Sequence, residues 1–299
     1  MTKRKKTSKW QWLLTAIMGL YAAICLVPML LVVVVSFSSD ASISNKGFSF
    51  FPEEWSLKAW EYVLGYGSQL LISYGVTIYV TVVGTAFSIL MMSLLAYALS
   101  RSCYDLRRHI SVMMLITMLF SGGQLAGYIV TTTMYHLKDT LAVLILPGIG
   151  CMNIIIFRTY IQSNITESLI ESAKIDGAGE FRIYAQIVFP LMKPSLAAIG
   201  FRVAVNHWNE WNKAYLYITS NTKTPLQLLL IRMEKNVEFL LSAEMQGLAP
   251  EEYAELAANL PTESGRMATL LTALGPIMIA YPFFQKYFVK GLTVGAVKG

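Results

Sequence analysis

The sequence predicts an all-α integral membrane protein with six transmembrane helices. Three observations predict it. Of the 299 residues, 55% are hydrophobic and only 14% are charged, against roughly 25% charged in an ordinary soluble domain. Mean hydropathy is +0.51. Five stretches contain no Asp, Glu, Lys or Arg: 10–39, 62–100, 110–137, 140–157 and 267–285. Each is long enough for one bilayer-crossing helix, which needs roughly 17–25 residues. Such a composition excludes a disordered chain, a coiled coil and a soluble globular enzyme. The three cysteines, Cys25, Cys103 and Cys151, have no short spacing and argue against a disulfide framework or a metal site.

The elements follow in order. Stretch 10–39 comes after a basic run, Lys3, Arg4, Lys5, Lys6 and Lys9. Its apolar length is about twice that of a cleaved leader's core, so it reads as the first span. Stretch 62–100 is too long for one helix, and Gly65-Tyr66-Gly67-Ser68 reads as its loop. Spans three and four take 110–137 and 140–157. Span five, Pro194 to Thr219, is diluted by Arg202, His207, Glu210 and Lys213. Charge at mid-membrane costs roughly 2.5–3.5 kcal/mol per residue on insertion scales, so hydropathy alone hesitates there. Parity supplies it: the basic N-terminus and Lys286, Lys290 and Lys298 both belong in the cytoplasm, so the number of spans is even. The sixth is 267–285. Under this topology 15 of the 24 basic residues lie inside, seven outside and two in span five. The net charge of +6 is then a topology signal, not a nucleic-acid one.

Segment 162–193, between spans four and five, reads as helix–turn–helix. Asn164 or Ser168 caps the first helix, with Glu167 or Glu171 three residues on. Gly177 and Gly179 break it, and the second helix runs to Pro190. Two readings stand for such a pair: an interfacial connector, or a docking element for a soluble partner.

The loop resembles that of the permeases of binding-protein-dependent ABC importers, which carry E-A-A-x3-G-x9-I-x-L-P. Here Glu171-Ser172-Ala173 precedes Gly177 by three residues, and Ile187, Phe189 and Pro190 follow at the same spacing. Ser172 and Phe189 depart from the pattern. The run Ile175-Asp176-Gly177-Ala178 is similar to the carbohydrate branch, as are Phe120-Ser121-Gly122-Gly123, Leu146-Pro147-Gly148, Trp208-Asn209-Glu210 and the tail 285–299. Such permeases place a Pro near position 126, where this chain has Ala126-Gly127.

The resemblance implies a type I ABC importer transmembrane domain over 71–288, with a cytoplasmic coupling helix in loop 163–193. Residues 1–70 would hold the N-tail, first helix and an external loop, and 289–299 the cytoplasmic C-tail. It implies a bacterial plasma-membrane protein partnered by a second permease, an ABC ATPase dimer and an extracellular solute-binding protein, set in lipid. Glu171, Ser172, Ala173, Asp176, Gly177, Ala178, Ile187 and Pro190 would form the ATPase-coupling loop. ATP and magnesium would sit on the partner, because this chain has no G-x-x-x-x-G-K-[ST]. Neither does it carry H-E-x-x-H, C-x-x-C or G-x-S-x-G, and it is expected to bind no cofactor and catalyse no reaction.

Ionisable residues inside a span are functional candidates by default. Asn206, Asn209, Glu210 and Lys213 fall at i, i+3, i+4 and i+7, one face of a helix, with Trp208 nearby. The set suits a carbohydrate path, or a Glu210–Lys213 pair that fixes packing. Gly122, Gly123 and Gln124 either break span three towards the path or allow close helix packing. A secondary carrier using Glu210 as a proton site is the alternative from another class, and an ABC permease for a non-sugar solute the alternative within the class. The 47-residue segment 220–266 contains an amphipathic stretch at Pro250–Leu260, either a lid or a contact for a binding protein.

Overall fold

The computed structural model describes residues 9–244 and 262–278. Helix α1, Lys9–Ser36, exposes Leu13, Ile17, Tyr21, Ile24 and Leu30 around its circumference. A helix apolar all round has no face to give to water and belongs in lipid. Short helices α2, Asp40–Lys46, and α3, Lys58–Gly65, lead to α4, Gly67–Ser100. The break before α4 is the single residue Tyr66, and Gly67 enters the helix with φ +44°. At 34 residues, α4 is about 51 Å long, well beyond the ~30 Å hydrocarbon layer.

After α4 the helices are interrupted. Helix α5, Arg107–Leu119, stops at Phe120, and α6, Gly123–Ile129, continues through a π turn, Val130–Met134. The two halves are bent by 118°. Gly123, at φ +79°, makes the turn possible. Helix α7, Ala142–Ile145, passes through a 3₁₀ turn, Leu146–Gly148, before α8, Cys151–Asn164. Then come α9, Glu167–Ile175; α10, Glu180–Ile183; a π turn, Tyr184–Val188; and α11, Phe189–Leu191. Helix α12, Lys193–Trp208, leaves the segment 180–191 at 79°, where Pro190 and Pro194 deny the backbone two N–H donors. Helix α13, Asn212–Tyr217, α14, Leu226–Glu244, and a helix over 263–278 complete the described chain.

Among the described residues, two helices are long and apolar enough to cross a bilayer, Trp10–Ser36 and Gly67–Ser100, and two bent pairs raise the number to four. The spans expected over 140–157 and 194–219 are corrected to interrupted ones, and of the two readings of Gly122, Gly123 and Gln124 the structure has the broken helix. Gly122 and Gly123 sit at the first break and Pro147, Gly148 and Gly150 at the second, while the third, after Trp208, falls at Asn209, Glu210 and Trp211. Residues 3–6 of the basic N-terminal run, the basic C-tail, the stretch 250–260 and the tail motif 285–299 lie outside the described residues.

The chain divides into two compact units, 1–67 with 230–275 and 68–229 with 276–299. In the first, Phe37 stacks on Trp60 at 5.5 Å. The Asp40 carboxylate accepts from the amides of Thr262, Glu263 and Ser264 at 3.0–3.2 Å, capping the helix over 263–278. In the second, α4 buries Val80, Gly84, Ser88, Met92 and Ala96, one helical stripe of mostly small residues against which neighbours pack closely. One core cluster joins Met92, Ala96 and Leu99 to Phe157 and Ile161 of α8, Ile170 of α9, Ile183 of α10, and Val188 and Met192. A second joins Val80, Val143, Leu144, Ala214, Tyr217, Ile218 and Leu228.

Candidate functional site

The two-helix loop is bolted to the bundle on one side and bare on the other. Ile170, Ile183, Tyr184 and Val188 are buried, while Ile175 and Phe181 are 87% and 75% exposed. Helix α9 ends in a Schellman turn: Ala178 N donates to Ala173 O at 2.9 Å, and Gly177 N to Lys174 O at 2.9 Å. Gly177 supplies the φ of +78° this turn needs. Asp176 closes the helix, and Ser172 Oγ donates back to Ser168 O at 2.9 Å. Ala173, Ala178 and Ile187 pack against the core, and Pro190 lies in α11 just past the π turn.

The expected caps are corrected. Helix α9 begins after Thr166, which is extended and makes no side-chain cap. Asn164 instead ends α8, donating to Tyr160 O at 3.0 Å. Ser168 is already inside α9, one residue past Glu167. Glu171 is exposed and has no ion pair or side-chain hydrogen bond among the described residues. Its neighbours do the holding. Lys174 Nζ lies 2.6 Å from Glu180 Oε1. Tyr97 donates to the other Glu180 oxygen, and Tyr184 bonds Ser93 at 2.7 Å. The Arg101 guanidinium stands between Glu167, at 3.9 Å, and Glu180, at 4.0 Å. Sequence reasoning missed Tyr97, Arg101, Lys174 and Glu180. A usable signal existed: Arg101 is the first charge after 39 uncharged residues, placed where α4 ends.

A cavity of about 540 Å³ opens beside α12, lined by Asn153, Arg202, Asn206, Asn209, Glu210 and Lys213. The helix carrying the expected stripe stops at Trp208, so Asn206 and Lys213 do not share one continuous helix. The break recovers their proximity. Glu210 Oε1 accepts from Lys213 N at 3.0 Å in the first turn of α13, and its other oxygen lies 3.5 Å from Lys213 Nζ. Asn209 Oδ1 accepts from Gln227 at 3.3 Å. Trp208 turns away, buried at the edge of a separate apolar pocket with Ile78, Val82 and Phe201. Gly122 and Gly123 do not line the polar cavity. Gln124 reaches α13 instead, donating to Asn212 Oδ1 at 3.3 Å.

The turn between α13 and α14 is held by Asp139. It accepts from the amides of Thr219 and Ser220 at 3.0 Å, from the Ser220 hydroxyl, and from Lys223 at 3.1 Å. The Ser220 hydroxyl and amide, with Thr219 and Lys223, hold its carboxyl well below the ordinary carboxylate range despite an opposing desolvation.

Apolar helices without a water-facing side, a polar cavity against broken helices, and a fastened loop with a bare face together define a membrane permease. The chain belongs to the binding-protein-dependent transport system inner membrane components, matching that family over residues 76–294. It is 36% identical over 98% of its length to all of the polygalacturonan/rhamnogalacturonan transport system permease protein YtcP of Bacillus subtilis. It is 34% identical over 94% of its length to protein LplC of the same organism, covering 92% of that protein. Its fold matches a chain in the crystal structure of a bacterial ABC transporter involved in the import of the acidic polysaccharide alginate. The TM-score is 0.75 at 29% identity, over 95% of this chain and 100% of that one.

Proposed function

We propose that the protein is one permease subunit of an ATP-binding-cassette importer, forming a translocation path for a sugar or oligosaccharide. In this reading it crosses a bacterial plasma membrane six times with both termini cytoplasmic, and the family domain spans 71–288. It pairs with a second permease, and an extracellular solute-binding protein delivers the substrate. ATP and magnesium are handled by a separate ATPase dimer, and this chain binds no cofactor.

The observation that carries the reading is the loop 163–193. One face is locked into the core by Ile170, Ile183 and Val188, while Ile175 and Phe181 project beside the Gly177 turn. Exposed apolar side chains on a rigid mount are the form of a docking surface. A lever must be stiff at its root to pass rigid-body motion into the spans. Glu171, Ser172, Ala173, Asp176 and Ala178 shape the α9 side of that surface, and Ile187 and Pro190 anchor the return. Asn206, Asn209 and Glu210 face the path. Trp208 acts from behind it through packing, Gln124 through its bond to Asn212, and Gly122 and Gly123 by breaking the helix.

Reconstitution tests this. In proteoliposomes, this chain with its second permease, ATPase and binding protein takes up radiolabelled oligosaccharide only with ATP. Ile175→Asp combined with Phe181→Asp abolishes copurification of the ATPase while the permease still inserts. Uptake by this chain alone, driven by a proton gradient, would establish the Glu210 carrier instead.

A further inference from the structure

We infer that the cavity on α12 takes an anionic saccharide, and that Arg202 is the residue that selects its carboxylate. This rests on the reading that the cavity belongs to the path. Arg202, Asn206 and Asn209 fall at i, i+4 and i+7 and are all exposed in the protomer. Ile199, Val203 and His207, on the other side of the helix, are buried. A polar stripe ending in a guanidinium, ten residues into a spanning helix, cannot face hydrocarbon. It faces the cavity.

The charges in the cavity do not cancel. Glu210 is taken by Lys213, through both the ammonium at 3.5 Å and the amide at 3.0 Å. Arg202 donates to the neutral amide oxygen of Asn153. Among the described residues, no carboxylate lies within ion-pair distance of it. An uncompensated cation in a low-dielectric span is costly, so such groups pair when function allows. The planar fork of donors matches a carboxylate in bidentate fashion. The first turn of α8 lines the same space through Gly150, Met152 and Asn153, and Gly150 offers no side-chain cap to its amides, which adds to the positive field. A neutral sugar is served by Asn206 and Asn209 and gives Arg202 nothing to pair with. A uronic acid unit serves all three. At about 540 Å³, the cavity is of the size that takes a small organic ligand.

The test uses the purified complex of this chain, its second permease and its ATPase, without the binding protein. Equilibrium binding is measured for digalacturonate and for neutral digalactose. Wild type is expected to favour the acid by about tenfold or more, the worth of one charge-assisted hydrogen bond. Arg202→Gln brings the two probes to parity, and Arg202→Lys retains part of the preference. Lowering the pH through the uronate pKa removes the preference in wild type and changes nothing in Arg202→Gln. Equal binding of both probes, binding of neither, or a preference untouched by Arg202→Gln overturns the inference. So does loss of the second permease from the Arg202→Gln complex with no change in preference, which would give Arg202 its counter-ion across that interface. A plug, Asn206→Trp, separates the two readings. If it blocks whichever probe binds, the path reading stands even where the charge argument fails. If it blocks none, the path reading fails.

Discussion

The Lys174 ammonium lies 2.6 Å from the Glu180 carboxylate across the Gly177 turn, joining the end of one loop helix to the start of the next. Burial opposes ionisation of Glu180, but Lys174, Tyr97 and Arg101 outweigh it and hold its pKa below the ordinary 4.5. The hydrogen bond to Glu180 in turn lifts Lys174 above its ordinary 10.5. The glutamate contributes stability above its unfolded pKa and loses it as pH falls through the lower folded value. The lysine contributes below its unfolded pKa and loses it as pH rises through the higher folded value. The loop therefore holds its shape between the two ordinary values, 4.5 and 10.5, and loosens as pH falls below the first or rises above the second. Lys174→Glu or Glu180→Lys alone is expected to lower uptake per ATP hydrolysed several-fold, and the double exchange to restore part of it. Uptake and phosphate release measured on the same proteoliposomes check this.

Gly177 has open space around its missing Cβ, so a substitution there acts through the backbone alone. Gly177→Ala strains the left-handed residue by about 1–2 kcal/mol. Gly177→Pro also removes the donor to Lys174 O and forbids the observed φ. We expect Gly177→Ala to weaken ATP-driven uptake and Gly177→Pro to abolish it, with membrane insertion and copurification of the second permease unchanged. Normal uptake by Gly177→Pro would refute the lever.

His207 is clamped between two glycines. A Cβ on Gly84 of α4 would stand 2.9 Å from the ring, and one on Gly148 would stand equally close. The ring is buried, so neither clash relaxes into solvent. Overpacking of this kind costs roughly 1–3 kcal/mol. Gly84→Ala and Gly148→Ala should each lower the melting temperature in detergent, and His207→Ala should rescue most of the Gly84→Ala loss but little of the Gly148→Ala loss, because the Gly148 Cβ also meets Ser88 Oγ, closer still than the ring. Absence of rescue at Gly84→Ala would mean the strain lies elsewhere.

Asp139 adopts φ +54° and spends its carboxylate on two amides, a hydroxyl and a lysine. Its depressed pKa means the contribution is present above the unfolded value and lost as pH falls through the folded one. Asp139→Asn keeps the volume but loses the charge. The variant is expected to melt several degrees lower at neutral pH, with the gap narrowing in strong acid. A gap that stays constant with pH would assign the effect to shape.

Much of this molecule is local information. The uncharged stretches 10–39 and 62–100 mark α1 and α4, because a helix in lipid must be apolar along its own length. Gly177 marks the loop turn, because only a residue without Cβ accepts that φ without strain. The segment 171–190 is legible by spacing for the same reason. The tertiary structure decided what no window along the chain contains. Arg101 meets Glu167 and Glu180 from 66 and 79 positions away, and Gly84 and Gly148 close on His207 from two other segments. Asn206, Glu210 and Lys213 share a cavity because α12 breaks after Trp208, not because one helix aligns them. Hydropathy and backbone demands are properties of a residue and its neighbours in sequence. Ion pairs, clamps and cavities are properties of surfaces brought together by packing, and only the packed chain determines them.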